Sequence, residues 1–133
     1  MPVAYTIDKG AGLVRMTISG AATNQELLES LERLHTDPNR LPGMPGLVDC
    51  RDIEHMLITN AGLQAAAVFE AELIDATQPP WAVAVIAPRD EVFWAARTYE
   101  VLRAGSPETV RVFRNAVEAE GWVLRHSGPP VTG

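Results

Sequence analysis

Residues 46–75, GLVDCRDIEHMLITNAGLQAAAVFEAELID, decide how this chain is read. Leu47 and Val48 open a buried strand, which ends in the polar run Asp49 to His55. Thr59 or Asn60 can cap the helix that follows, which stays apolar nearly all round to about Ala76. A strand, a polar loop and a buried helix in that order form one unit of an α/β fold.

The flanking segments repeat the unit. On the N-terminal side, Val3, Tyr5 and Ile7 alternate with smaller or polar residues, as do Val14, Met16 and Ile18 with Arg15 and Thr17. Two half-buried strands joined at Lys9–Gly12 make a hairpin. Thr23 with Glu26 is a capping-box signature, and Leu27, Leu28, Leu31 and Leu34 follow at helical spacing. On the C-terminal side, WAVAVIA (residues 81–87) is an apolar run without alternation, as expected of a strand covered on both faces. Pro88 breaks it, and Asp90 is expected to cap a third helix to about Arg103. Thr109–Phe113 is the last strand, and Asn115 with Glu118 opens the last helix. The order β-β-α-β-α-β-α-β-α predicts one α/β domain over residues 1–126, with a mixed, mainly parallel sheet of about five strands. Residues 127–133, SGPPVTG with His126 excluded, read as a flexible tail.

Composition narrows the function. The 133 residues carry a formal net charge of −6, which argues against nucleic acid or an anionic membrane as the main partner. The single cysteine, Cys50, cannot form an intramolecular disulfide, and no run approaches the roughly 18 apolar residues of a membrane span. A cytoplasmic protein without stable membrane insertion is expected. No spacing among Asp49, Cys50, Asp52, Glu54 and His55 matches a zinc or calcium motif, no serine has a nucleophile-elbow setting, and Lys9–Gly12 is a hairpin turn without P-loop character. No catalytic residue, metal or cofactor is expected. His35 and His126, near helix ends where positive charge is mildly favoured, are assigned no chemistry.

The hairpin start, LVDCRDI, WAVAVIAP and the closing VRVFRNAVEAEGWV, taken in order, resemble the STAS-like domain family: stand-alone bacterial proteins like the anti-sigma-factor antagonists, related to CRAL-TRIO lipid-binding folds. The resemblance implies a non-enzymatic regulatory or protein-interaction module. In anti-sigma antagonists a serine in an Asp-Ser-Ser-Gly turn at the start of the second helix is phosphorylated. The matching stretch here is Thr59-Asn60-Ala61-Gly62, which keeps the glycine and lacks the serine. The usual phosphoserine switch is therefore expected to be absent, with Thr59 as the one position able to take phosphate at a helix N-terminus. The kinship with lipid-binding folds implies the alternative, a carrier or sensor of a small apolar or amphipathic ligand. A lipid carrier would need a cavity of at least about 300 Å³.

Particular residues carry these alternatives. Arg51 and Arg89 follow strands at the edge where parallel sheets bind ligands, and with Thr59, Asn60 and Gly62 they could hold an anion, or pair with nearby carboxylates instead. Glu70 falls on an apolar helix face, between the directions of Leu63, Ala66, Leu73 and Ile74, so it is an unusual buried carboxylate, or one neutralised by an arginine, or the face turns away from the sheet at that point. Phe93, Trp94 and Val101 form a second apolar stripe on the third helix, suited to a homodimer contact or to lining a ligand opening. A hydrolase built on Asp49, Asp52, Glu70 and His55 is the weakest possibility.

Overall fold

The computed structural model describes residues 1–74 and 77–126. The tail expected at 127–133 lies outside them, as does the far end of the helix expected to reach Ala76. Nine elements follow in the expected order: β1 (Val3–Asp8), β2 (Leu13–Gly20), α1 (Asn24–His35), β3 (Gly46–Ile53), α2 (Asn60–Leu73), β4 (Trp81–Ile86), α3 (Asp90–Leu102), β5 (Glu108–Phe113) and α4 (Ala116–Arg125).

They build one five-stranded sheet in the order β1-β2-β3-β4-β5. β1 and β2 are antiparallel, and every later pairing is parallel. Gly12, with φ of 64°, takes the left-handed conformation that closes the β1–β2 hairpin. Each new parallel strand is added on the same side of the last. Right-handed connections therefore lay α1, α2 and α3 along one face. α4 follows β5, the last strand among the described residues, and covers β3, β4 and β5 from the other face.

The two faces have separate cores. Met16, Ile18, Cys50, Val85, Val110 and Val112 pack with Leu27, Leu31, Leu63, Ala66 and Val92 under α1–α3. Leu13, Leu47, Ala82, Ala84 and Ile86 pack with Ala119, Trp122 and Val123 under α4. The unbroken apolar run of β4 thus divides by alternation between two helical layers, as a doubly covered strand must.

Two boundaries differ from those expected. The polar run after Val48 is strand as far as Ile53, because β2 supplies a ladder partner, interrupted by a register shift between Thr17 and Ser19. The N-cap of α3 is Arg89, with Asp90 as the first helical residue and no side-chain cap. The other caps form as their residue types dictate: Thr23 and Glu26 complete a capping box, and the Asn115 side chain accepts from the amides of Val117 and Glu118.

Thr59 caps α2 by accepting from Gly62 N at 3.0 Å, and a second bond pair ties this cap to α1. Asn24 Oδ1 accepts from Thr59 N and Asn24 Nδ2 donates to Thr59 Oγ1, each at 3.1 Å. A Cβ on Gly62 would overlap the Asn24 carboxamide. Glycine is needed at this position for close approach of the two helix starts. Gly62→Ala is expected to expel Asn24 and cost about 1–3 kcal/mol through the lost hydrogen bonds. Adding Asn24→Gly should remove the clash, so that denaturation of the double variant shows less than the summed loss. Strict additivity would exclude the contact as the cause.

Candidate functional site

α1, α2 and α3 do not close completely on the sheet. Between them lies a largely apolar cavity of about 140 Å³. Val14, Met16, Val48, Val83, Val85 and Val110 form its sheet wall, and Leu27, Leu31, Leu63, Val92, Ala95 and Ala96 belong to its helical wall. Alternation along the strands and 3.6-residue periodicity along the helices aim these side chains inward.

Polar groups line the cavity where the parallel strands begin. α2 and α3 run back across the sheet, so their C-terminal halves lie over the starts of β4 and β5. Glu70 comes from α2, Tyr99 from α3, Glu108 from the start of β5, His35 from the end of α1 and Arg40 from the loop before β3. Glu70 is 2% exposed, and its Oε2 lies 2.8 Å from His35 Nε2. Arg103, the C-cap of α3, donates from Nε to Glu108 Oε1 at 3.0 Å and from a terminal nitrogen to Ala67 O at 3.4 Å. Arg40 stacks on the Trp81 ring, 4.9 Å from its centroid. Tyr99 Oη is buried and makes no hydrogen bond to a described residue.

Burial governs the protonation of this cluster. It pushes Glu70 up to about 7, against the opposing pull of Arg103 and Arg40. Burial does the same to Glu108, helped by Glu70 and opposed by Arg103, again to about 7. His35 is driven down to about 4 by burial and then by Arg40, so it is neutral near pH 7 despite its place at a helix end. The signs for stability follow. Each raised carboxyl contributes stability that is complete below its unfolded value and lost as pH rises through about 7. The lowered imidazole contributes stability that is complete above its unfolded value and lost as pH falls through about 4. Between about pH 6.5 and pH 8 the carboxyls dominate, and the melting temperature is expected to fall. Glu70→Gln/Glu108→Gln should flatten that slope. A wild-type melting temperature that rises over this interval would mean that both carboxylates stay ionised.

The residues expected to bind an anion are not assembled. Period-two alternation puts Arg51 with Leu47 and Asp49 on the α4 face, whereas Thr59 opens α2 on the opposite face. Arg51 is held by Asp49 through contacts of 3.0 and 2.7 Å, and Arg89 donates to Ile53 O and pairs with Glu91. The strand order runs without reversal, so the sheet has no topological switch point to open a crevice at this edge. Asn60 is the exposed first residue of α2. Thr59 Oγ1 is already engaged by Gly62 and Asn24, so a phosphate there would have to displace that tie.

The stripe of α3 also lies elsewhere than a ligand opening would need. Trp94 and Val101 are 60% and 69% exposed, and Phe93 packs edge-on against Trp94 with Arg114 over its ring. None of the three lines the cavity; α3 contributes Val92, Ala95, Ala96 and Tyr99 instead.

The hydrolase set does not meet either. Asp52 and His55 are exposed at the far end of β3, and Asp49 is bound by Arg51, while Glu70 lies at the opposite end of the sheet. Cys50 is buried and its thiol is pushed up to about 12, mainly by burial. Among the described residues no group of His, Cys, Asp and Glu could hold a metal, and no helix is long and apolar enough to cross a membrane.

Sequence reasoning found Glu70 and missed His35, Arg40, Arg103 and Glu108 as its neighbours. Two of them carried a signal. Glu108 shares the phase of Val110 and Val112 along β5, and His35 follows Leu31 by four residues along α1. Arg40 lies in an irregular loop and had no periodic signal.

Comparison with known proteins finds no matching family model, no matching curated protein and no matching solved structure.

Proposed function

We propose that this chain is a non-enzymatic sensor or carrier of a small apolar or amphipathic molecule, the alternative implied by its resemblance to lipid-binding folds. The apolar cavity between the sheet and α1–α3 carries this reading. At about 140 Å³ it is smaller than a lipid carrier requires. It is comparable to the roughly 150 Å³ apolar cavity that takes up benzene in an engineered protein, so the apolar body it suits has about six carbon atoms. Hexanol is a suitable neutral probe. It should raise the melting temperature with increasing concentration, because it binds the folded state alone. Ala96→Leu, which fills the cavity from α3, should abolish the shift while the protein stays folded. A wild-type melting temperature indifferent to hexanol and to other apolar probes of this size would defeat the proposal.

A second observation favours a protein-interaction role, the leading expectation of the sequence. α1 and α2 leave an outer groove of about 620 Å³ floored by Leu28, Ala61, Ala65, Val68 and Phe69, and its charged lining residues are Glu29, Glu32 and Glu72. An apolar floor whose charged rim residues are all acidic, beside Gln25 and Gln64, suits a basic amphipathic segment of a partner. Glu29→Lys/Glu32→Lys should weaken capture of such a partner, and unchanged capture would remove the groove from consideration. Self-association through the exposed Trp94–Val101 stripe is a separate proposal, for which native mass spectrometry supplies the test.

A further inference from the structure

The polar end of the cavity specifies more than an apolar ligand. Two hydrogen-bond donors there lack acceptors among the described residues. Arg40 is held by stacking on Trp81. The two carboxylates beside it are engaged elsewhere, Glu70 with His35 and Glu108 with Arg103. Arg40 lines the cavity, and its guanidinium makes no hydrogen bond or ion pair to a described residue, with Glu108 and Glu70 acting on it only at longer range. Tyr99 lines the same cavity, and its Oη is buried and makes no hydrogen bond to a described residue. A buried hydroxyl without a partner is disfavoured, and so is a partly buried guanidinium without an anion. Both deficits are met by one ligand feature, an anionic oxygen acceptor. A planar guanidinium suits a carboxylate in particular.

Charge points the same way. Two guanidiniums and two carboxyls meet in this cluster, and burial disfavours joint ionisation of the carboxyls. The resulting excess is positive, which an anion would neutralise.

We infer that the ligand of this cavity is a small monocarboxylic acid, with its carboxylate received by Arg40 and Tyr99 at the strand-start end and its apolar body lying between the sheet and α1–α3. This rests on the reading of the cavity as a ligand site. A ligand with a cationic head, drawn instead to Glu70 and Glu108, is the opposite choice, and the test separates the two.

Three probes with the same chain, hexanoate, hexanol and hexylamine, are titrated near neutral pH into the wild-type protein, Arg40→Gln and Tyr99→Phe. Trp81 lines the cavity, so its fluorescence and the melting temperature both report binding. Hexanoate is expected to bind about ten-fold or more tightly than hexanol. Tyr99→Phe should be at least as stable as wild type, because the hydroxyl it removes has no described partner. It should nevertheless weaken hexanoate about ten-fold and hexanol by far less. A merely structural tyrosine would not produce that split. Arg40→Gln should also remove the preference for hexanoate, and if it proves unstable Tyr99→Phe still decides. Equal binding of hexanoate and hexanol, or tightest binding by hexylamine, overturns the carboxylate inference and leaves the cavity reading standing. Failure of all three probes, together with no effect of Ala96→Leu, removes both.

Discussion

Arg103→Met is expected to destabilise the protein by about 3–5 kcal/mol near pH 8, and by much less near about pH 5. Arg103 and Glu108 form an ion pair at 3.0 Å, with side chains only 4% and 6% exposed. Removing the guanidinium leaves Glu108 buried beside Glu70, with no cation at hydrogen-bonding distance. Near pH 8 the carboxyl must either ionise without its partner or take up a proton against the pH. Near pH 5 it is already protonated in the folded protein, since burial holds it at about 7 even with Arg103 in place. The lost interaction is then one between a guanidinium and an uncharged carboxyl, and is worth less than an ion pair. Arg103→Met/Glu108→Leu should recover most of the stability, because an apolar pair of similar volume avoids desolvating two charges. Urea denaturation at the two pH values checks each step. Equal losses at both would show that Arg103 acts through packing and not through its charge.

Trp122→Ala should cost about 3–5 kcal/mol, the range for truncating a large buried aromatic side chain. Its setting places it among the most sensitive core positions. α1, α2 and α3 share one face of the sheet, but α4 covers the other alone, with a small core of Leu13, Leu47, Ala82, Ala84 and Ile86 beneath it. Trp122 packs on that core, tilted against Phe113 at 5.7 Å and stacked on His126 at 4.7 Å. Arg111 lies over both Phe113 and Trp122, joining β5 to the helix. Ala119 and Val123 are too small to hold α4 in place by themselves. If the helix detaches in the folded variant, less surface remains to be exposed on unfolding, and the denaturant slope falls together with the midpoint. A loss below about 1 kcal/mol with an unchanged slope would mean that α4 is anchored by something other than this side chain.

The two variants probe opposite faces of the sheet, and the faces were not equally legible in the chain. Ala119, Trp122 and Val123 recur at helical spacing behind the Asn115 cap, and WAVAVIA has the unbroken apolarity of a strand covered twice. Local chemistry was sufficient there. Thr23, Thr59 and Asn115 cap helices because a side-chain oxygen replaces an acceptor that the first turn lacks. The polar run Asp49–Ile53 was misread as loop. Its ladder partner on β2 lies some thirty residues earlier in the chain, and strand formation depends on that partner more than on local preference.

Element order, the caps of α1, α2 and α4 and the inward direction of Glu70 were thus determined by the sequence, since each depends on residues within a turn or two of one another. The cluster at the cavity was decided by tertiary structure alone. His35, Arg40, Glu70, Tyr99, Arg103 and Glu108 come from separate elements and loops, and periodicity says only that a side chain faces inward, not which other inward groups it meets. Strand order settled the rest. A sheet built 1-2-3-4-5 has no switch point at its C-terminal edge, and Arg51 and Arg89 pair with their own neighbours, while Arg40 and Tyr99, whose side chains donate to no described residue, line the cavity toward the opposite edge.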